Sequence, residues 1–410
     1  MTVTQAFRYE LDPTARQRRW LASAAGTARY AYNWGLALCQ RRLNVGQPVP
    51  HAAELHRLGN TEKPQRSWGY AVSKCCGPEA LRDLDRAFAH FWRGRQAGRP
   101  VGFPRFRRKH GRRDAFRLTG SIQVHPQSVT LPRIGCVRVK ESTETFRGRI
   151  LSATVRREAD RWYVSLAVEV EREDPHPVEG PVVGVDLGLK SFAVLSDGSR
   201  VESPRPLAKA QRRRRPRQRL HSRKQRGSRH RHKSAAGLAR RHRRIRYQRT
   251  DVLHKTTTAL AKTQSVIVVE DLFVRGMIRN HSLARSIADA GWAAFRRMLA
   301  YKTQWYGSRL VVAPRFYPST KTCSACGHVK AEMPLAARVF QCEVCGAETD
   351  RDLNAARNLA SLVAGSSPET QNAWGGEGAG QENGLVKPAP VKQEPFSRKL
   401  AATASGNKRR

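Results

Sequence analysis

The sequence has no long apolar run. No stretch approaches the roughly 18–20 consecutive apolar residues that a membrane-spanning helix needs. Residues 1–13 carry charges and lack the apolar core of roughly 7–15 residues that marks a secretory signal. We therefore expect a soluble protein that stays in the cytoplasm and has no membrane partner.

Acidic residues are scarce. The 33 Asp+Glu face 76 Lys+Arg, which leaves a formal net charge of +43 over 410 residues. A chain this basic either repels itself or neutralises a polyanion, and nucleic acid is the usual partner because bound phosphates release counterions. Apolar residues make up 39% of the chain, enough for packed cores, which argues against disorder throughout.

Cysteines are too few and too uneven for a disulfide scaffold. Four of the eight are scattered, and the other four form two Cys-x-x-Cys-Gly knuckles, Cys323/Cys326 and Cys342/Cys345, fifteen residues apart. This spacing is typical of a tetrahedral zinc site with four thiolate ligands. Because the protein would supply all four ligands, no position stays open for substrate, and we predict that the zinc is structural.

The apolar periodicity predicts a mixed α/β chain. It favours helices over 14–41, 78–94, 284–306 and 352–363. Alternating residues within 115–170 predict strands, including a hairpin that turns at Ala159-Asp160. Two strands are expected within 182–201, and one each at 266–270 and 310–313. The composition after residue 364 predicts a disordered tail.

Two segments concentrate the positive charge. Between Arg205 and Arg249 there are twenty Lys/Arg and no acid, which predicts one or two long helices that contact phosphates or form a solvated spacer. The loop 98–110 mixes basic residues with Phe103 and Phe106, which either contact nucleic acid or anchor the loop. The candidate nucleic-acid-binding side chains are Arg105, Arg107, Arg108, Lys109, Arg212, Arg213, Arg214, Arg215, Arg223, Lys224, Arg240, Arg241, Arg243 and Arg244.

Three acids stand where a nuclease would need them. Asp186 lies in a short apolar strand, Glu270 ends another, and Asp352 opens a helix beyond the cysteines. Carboxylates from separate elements can hold two Mg²⁺ ions, which activate water and stabilise the leaving oxygen in phosphodiester cleavage. Each acid also has a structural explanation: a turn, a strand end, or a helix cap for Asp352 and nearby Asp350. Together with the zinc motif and the charge, the catalytic interpretation is favoured.

The motifs, in this order, resemble the TnpB (OrfB) proteins of bacterial insertion sequences, which are related to type V CRISPR effectors. The resemblance runs from about residue 9 to residue 360. It is carried by Ala28-Arg-Tyr-Ala-Tyr-Asn-Trp34, Gly102-Phe-Pro-Arg-Phe-Arg107, Gly184-Val-Asp-Leu-Gly-Leu-Lys190, Val269-Glu-Asp-Leu272, Ile287-Ala-Asp-Ala-Gly-Trp292, Phe316-Tyr-Pro-Ser-Thr-Lys-Thr-Cys-Ser-Ala-Cys-Gly327 and Asp350-Arg-Asp-Leu-Asn-Ala-Ala-Arg-Asn358.

The resemblance implies an RNase H-like (RuvC) nuclease domain with an inserted zinc ribbon, preceded by a wedge-like β-barrel that carries a helical recognition domain. On that basis residues 1–13 are the first wedge strand, 14–100 the recognition domain and 101–180 the remaining barrel. The nuclease domain then covers 181–317 with an Arg-rich insert at 205–250, the zinc ribbon 318–349, and the last nuclease helix 350–363.

The resemblance also implies the activity: an RNA-guided, Mg²⁺-dependent DNA endonuclease whose guide RNA derives from the transposon end. It implies that Asp186, Glu270 and Asp352 are the catalytic acids, with Asp352 favoured over Asp350. Phe273 departs from the family pattern, in which we expect Asn. The protein would act in the bacterial cytoplasm, associated with the nucleoid when bound to DNA.

Two other functions fit the sequence. A transposase could cut and join transposon ends itself, although no paired-His nucleophile motif is apparent. A non-catalytic zinc-ribbon regulator would bind nucleic acid without needing the three acids. Guide sequence, target, flanking motif, cleavage pattern and oligomeric state do not follow from the sequence.

Overall fold

The computed structural model describes residues 1–62, 67–109, 114–334 and 336–364, in two compact units. The first unit runs from Met1 to Arg172 and the second begins at Glu173. The tail predicted to be disordered lies, from residue 365 onward, outside the described residues. The domain boundaries predicted within each unit stay predictions.

The first unit is built on a seven-stranded antiparallel sheet. Its strands are β1 (Thr2–Asp12), β2 (Ala115–Leu118), β3 (Gln123–His125), β4 (Ser128–Leu131), β5 (Gly135–Val139), β6 (Arg149–Glu158) and β7 (Arg161–Glu171), in the order β2-β6-β7-β1-β5-β4-β3. The predicted hairpin is the β6–β7 pair, with Ala159 at a φ of 59° in its turn. Alternate residues such as Val155, Val164 and Leu166 are buried, as the period of two predicts.

Helices occupy the interval between β1 and β2. They are α1 (Ala15–Asn44), α2 (Ala52–Thr61), a 3₁₀ turn (Ser67–Tyr70) and α3 (Cys76–Gln96). Thr14 caps α1, because its side chain accepts from the Gln17 amide while the Gln17 side chain accepts from the Thr14 amide. Leu36 of α1 and Leu84 of α3 belong to the same buried apolar cluster as the sheet.

The second unit contains a five-stranded mixed sheet. Its strands are β8 (Val182–Asp186), β9 (Ser191–Leu195), β10 (Arg200–Glu202), β11 (Val266–Glu270) and β12 (Arg309–Ala313), in the order β10-β9-β8-β11-β12. β8, β11 and β12 are mutually parallel, whereas β9 and β10 are antiparallel to their neighbours. The sequence predicted two strands within 182–201 and missed β10, which is short and exposed at the sheet edge.

Two of the helices in this unit form the Arg-rich segment: α4 (Pro206–Arg223) and α5 (Arg229–Thr263). The start of α4 is fixed by the buried Asp289, whose carboxylate accepts from the amides of Leu207 and Ala208 at 2.9–3.2 Å. Asp289 also pairs with Arg249 of α5 at 2.7 Å. One carboxylate therefore attaches both Arg-rich helices to the rest of the unit.

The remaining helices are α6 (Val274–Met277), α7 (Ala284–Ala290), α8 (Trp292–Tyr306) and α9 (Arg351–Ala364). The single helix predicted over 284–306 is wrong, since Gly291 separates α7 from α8 with a φ of 80°. This left-handed conformation ends α7, and glycine adopts it without the steric cost of a β-carbon. Gly291 also lies against Arg249 and Leu253, which leave little room for a side chain.

Helix α9 packs unusually close to β8. A β-carbon at Gly184 would collide with the backbone carbonyl of Ala356 and lie 2.6 Å from the amide nitrogen of Ala360. Ala355 and Ala356 are fully buried there, so small side chains on the helix complete the close approach. Because backbone atoms cannot move aside as a flexible side chain can, α9 depends on glycine at 184.

We expect Gly184→Ala to lower the unfolding midpoint in denaturant, with a cost of about 1–3 kcal/mol for overpacking. Gly237→Ala on α5 is the matched control, since its β-carbon would meet no atom within 4 Å. That replacement should leave the midpoint unchanged or raise it, because alanine is the better helix former. Equal midpoints for the two variants would contradict the close packing.

Candidate carboxylate site and cysteine cluster

Asp186 and Glu270 end two neighbouring parallel strands, β8 and β11. The strands pair Val182 with Val266 and Val185 with Val269, so the next positions bring Asp186 and Glu270 side by side. Neighbouring strands lie about 5 Å apart, and residues two apart share a face. Both acids therefore share the sheet face that carries Gly184 and packs against α9. Carboxyl ends of parallel strands at a change of strand order are the usual ligand site of open α/β sheets.

Asp352 comes from the first turn of α9. Its carboxylate lies 3.1 Å from the guanidinium of Arg351. The neighbouring Asp350 has a different role, because its Oδ1 accepts from the amides of Asp352 and Leu353 at 3.0 and 3.1 Å, and its Oδ2 pairs with Arg200 at 3.0 Å. Burial raises the pKa of Asp350, but these donors, first the Leu353 amide, outweigh burial and lower it. Asp350 is thus the cap of α9.

Asp186 lies within range of the charges of the other two predicted acids. Its side chain is only 8% exposed. Burial, then the charges of Glu270 and Asp352, raise the pKa of Asp186 from 3.8 to about 8. A carboxyl group in this position favours a proton or a cation, because a bare charge would be both desolvated and repelled.

Glu270 is oriented by a residue from the cysteine segment. The hydroxyl of Ser319 donates to Glu270 Oε1 at 2.6 Å, and the Ser319 side chain is buried. This contact joins the end of β11 to the chain that leads into the first knuckle. No local pattern signals this contact, since the partners are 49 residues apart along the chain.

Two buried asparagines join α9 to the same segment. Asn354 donates to the Thr322 carbonyl at 2.6 Å and accepts from the Ser324 amide at 2.9 Å. Asn358 donates to the carbonyls of Ser319 and Thr322 at 2.7 and 2.6 Å. Both asparagines belong to the motif that runs from Asp350 to Asn358, for which the sequence analysis predicts a role only for the acids. Their four-residue spacing, which puts two amides on one helix face, is the signal that could have found them.

The four cysteines predicted as metal ligands converge on one point. Their sulfur atoms all lie within 4.8 Å of one another, with Cys323–Cys345 at 3.7 Å and Cys326–Cys342 at 3.6 Å. Four thiolates at about 2.3 Å from a tetrahedral zinc ion would be about 3.8 Å apart. The cluster therefore has the donor set and spacing of a structural zinc site.

The two knuckles repeat one backbone conformation. Gly327 and Gly346 have φ values of 77° and 69°, and their amides donate to the carbonyls of Cys323 and Cys342 at 3.0 and 3.1 Å. This left-handed conformation strongly favours glycine. On either side of the second knuckle, β13 (Val339–Gln341) and β14 (Glu348–Asp350) form a short antiparallel pair, and β14 leads directly into α9.

The carboxylates are less tightly clustered than the thiolates. Among the described residues, the cysteines form the one group of three or more such ligands whose atoms all lie within 4.8 Å of one another. At least one pair among Asp186, Glu270 and Asp352 is therefore farther apart.

The basic candidates divide into exposed and enclosed side chains. Arg107 lies 3.8 Å above the Tyr32 ring and pairs with Asp83 at 3.2 Å. Phe103 packs edge-on against Phe88, whereas Phe106 is half exposed. These contacts favour loop anchoring for Arg107 and Phe103. The exposed candidates are Arg105, Arg108, Lys109, Arg212, Arg213, Arg215, Arg223, Arg240 and Arg244, and the half-buried ones are Arg214, Lys224, Arg241 and Arg243.

Three family models match the chain. Residues 165–281 match a model described as a probable transposase of the OrfB type in IS605 elements, and residues 292–359 match a Cas12f1-like TNB domain. Residues 1–47 match a model described as a helix-turn-helix domain, although here they form one strand and one long helix. Within the described residues, no helix is long and apolar enough to cross a membrane. The class is thus a transposon-associated protein with a Cas12f1-like domain around its cysteine cluster.

Relatives match over nearly the whole length. A "putative RNA-guided DNA endonuclease" of Mycobacterium tuberculosis strain CDC 1551 is 38% identical to this chain. The alignment covers 87% of this chain and 86% of the relative. The protein InsQ of Escherichia coli K12, with the same description, is 33% identical over 88% of this chain and 92% of its own. The chain belongs to the TnpB (OrfB) family. A cryo-EM structure of a CRISPR-Cas12f ternary complex is 14% identical, covers 85% of this chain and 82% of its own, and superimposes with a TM-score of 0.35.

Proposed function

We propose that this protein is an RNA-guided DNA endonuclease of an insertion sequence, and that Asp186, Glu270 and Asp352 hold its catalytic Mg²⁺ ions. The observation that carries the proposal is the convergence of three acids at the ends of β8 and β11 and the start of α9. The names of the relatives at 38% and 33% identity support the same activity. The mixed sheet supports an RNase H-like nuclease domain, and the antiparallel sheet supports the wedge.

The donor set fits magnesium. Mg²⁺ binds through one or two carboxylates and keeps several waters, which suits acids that approach without touching. Bound Mg²⁺ activates a water and stabilises the leaving oxygen of a phosphodiester. The chain's own residues define the site: Asp186 supplies a buried carboxylate, Ser319 fixes the direction of Glu270 through its hydroxyl, and Asp350 fixes the start of α9 on which Asp352 lies.

The cysteine cluster has a structural part in this proposal. With zinc bound by all four thiolates, the segment from Ser319 to Ser324 would be held against α9 through Asn354 and Asn358. The zinc ribbon would thus support two of the three acids without touching the substrate.

The test is cleavage by the full chain purified with RNA from its own transposon end. Duplex DNA that matches the RNA should be cut when Mg²⁺ is present and stay intact with EDTA or with a mismatched guide. A library of flanking sequences should contain at least one that permits cutting. Strand transfer by the protein alone would instead indicate a transposase, and binding without cutting under every flanking sequence would indicate a regulator.

The Arg-rich helices are proposed to contact phosphates of the guide or target. Replacing Arg212, Arg213 and Arg215 together by glutamine should weaken nucleic-acid binding and reduce the slope of log K against log[salt] by up to about 3, since each phosphate contact contributes about 0.9. Filter binding between 50 and 300 mM salt measures the slope.

A control for this prediction removes three basic side chains that already pair with acids. They are Arg86, Arg149 and Lys255, whose partners are Asp83, Glu169 and Asp251. Their replacement by glutamine removes the same number of charges. Equal changes of slope in the two triple variants would show that net charge alone, rather than contact by α4, governs binding.

A further inference from the structure

A large aromatic side chain is exposed beside the proposed catalytic acids. Phe273 follows Glu270 by three residues, and 52% of its surface is accessible. Exposing this much apolar surface to water is unfavourable. Neither the carboxylate site nor the cysteine cluster uses Phe273.

The ring is exposed but held in place. A β-carbon at Gly276 would collide with the Phe273 ring, so the ring lies directly against the backbone of α6. The guanidinium of Arg315 lies over the ring, 5.4 Å from its centroid. Arg315 is in turn fixed by Asp271, which accepts from its Nε at 3.0 Å and its Nη2 at 2.5 Å. Phe273 is therefore a pre-organised aromatic side chain with a cation over one part of its ring, and half of its surface stays accessible.

This aromatic surface opens onto the same cavity as a catalytic acid. A cavity of about 230 Å³ is lined by Glu270, Phe273, Arg275, Arg296 and Arg315, among others. The lining of this cavity contains three arginines and two acids, Glu270 and Asp271, so basic side chains outnumber acidic ones. Three residues of chain span at most about 10 Å, and each nucleotide of a duplex strand advances about 3.4 Å along the helix axis. A nucleotide on Phe273 would lie within about three positions of a phosphate at Glu270.

We propose that Phe273, supported by Gly276 and Arg315, is a stacking surface for one base of the DNA strand being cut, within about three nucleotides of the scissile phosphate. The inference rests on the proposed nuclease function. Aromatic rings and guanidinium groups bind unpaired bases of any sequence through their flat faces. Stacking of a base beside the carboxylates would position the scissile phosphate at the acids. It would also require that the strand be single-stranded at this point.

An abasic-site scan of the cut strand tests the proposal. The full chain with its RNA is given duplex DNA in which one nucleotide at a time, up to three on either side of the cut, lacks its base. Cutting by the wild-type protein should be about 5- to 150-fold slower when the abasic nucleotide is at one or two of these positions. This is the effect expected from the loss of one stacked base. Phe273→Ala should slow similarly on intact DNA and then lose its sensitivity to the abasic position. Phe273→Tyr should behave as wild type.

Ile278→Ala is the matched control, since Ile278 ends the same short helix and is 42% exposed. It should cut normally and keep the abasic sensitivity. The proposal would be overturned if Phe273→Ala kept the full sensitivity of wild type, because the base would then be held elsewhere.

A binding measurement separates this inference from the function on which it rests. In single-stranded DNA with 2-aminopurine near the cut position, the fluorescence of 2-aminopurine should be quenched by wild type and by Phe273→Tyr, and not by Phe273→Ala. Quenching that depends on Phe273 would support the stacking surface even if wild type failed to cut, which would count against the nuclease function alone. Equal quenching by all three proteins would overturn the stacking surface.

Discussion

Asp186→Asn is expected to lower the rate of DNA cutting by at least about 10³-fold while leaving guide and target binding almost unchanged. Metal ions contribute several kcal/mol of transition-state stabilisation, and each 1.36 kcal/mol is a factor of ten in rate. Asparagine keeps the shape of the side chain but removes the charge that lies deepest in the site. Single-turnover cleavage of matched duplex at saturating protein–RNA complex measures the chemical step directly.

Asp350→Asn is the matched control. An amide oxygen can still accept from the backbone of Asp352 and Leu353, so the cap of α9 should persist. We expect a change in rate of less than about tenfold, the loss of a positioning contact. A loss as large as that of Asp186→Asn would make Asp350 a metal ligand and contradict its assignment as a cap. Full activity of Asp186→Asn would remove the catalytic assignment altogether.

The same substitution should stabilise the metal-free protein. Folding raises the pKa of Asp186 from 3.8 to about 8, so the folded state keeps a proton that the unfolded state releases. The contribution of Asp186 to the stability of wild type therefore falls as pH rises from about 4 to 8 and stays level above that range. In EDTA, Asp186→Asn should melt higher than wild type at pH 8 and equally at pH 3.8. Added Mg²⁺ should reduce the difference. A difference independent of pH would contradict the buried acid.

The strands that carry the acids were predictable from the sequence for a physical reason. Parallel strands buried on both faces form short continuous apolar runs, and both Val182–Asp186 and Val266–Glu270 end such a run with an acid. The cysteine cluster was predictable because zinc fixes the ligand spacing. Which acids meet was harder to foresee, since that depends on the strand register and on the close packing of α9 at Gly184.

The features that escaped prediction depend on distant partners. Glycine inside an amphipathic pattern is often tolerated in a helix, so nothing local distinguished the break at Gly291. Arg107 lies in a basic loop of the kind that contacts phosphates, but its side chain packs on Tyr32 and pairs with Asp83. Ser319 is an ordinary loop serine until Glu270 is placed beside it. In each case the local sequence allowed several outcomes and tertiary packing selected one.

Removal of the proposed zinc ligand in Cys342→Ser is expected to lower cutting by about 10²-fold or more through loss of structure beside the acids. Structural zinc contributes on the order of 10 kcal/mol to the fold of a small domain, so three remaining thiolates should not keep the knuckles closed. The Ser319–Ser324 segment would then release Asn354, Asn358 and Glu270.

Three measurements separate this effect from general damage. Metal analysis should show loss of zinc in Cys342→Ser, and hydrogen exchange should accelerate in α9 but not in α1, which belongs to the other compact unit. Cys136→Ser is the matched control, because Cys136 is exposed and lies outside the cluster. Cys136→Ser should keep the zinc content, the hydrogen-exchange rates and the cleavage rate of wild type. Because the acids themselves are intact in Cys342→Ser, a zinc-free protein that cuts at the wild-type rate would mean that the sheet and α9 alone hold them in place, without help from the cysteine segment.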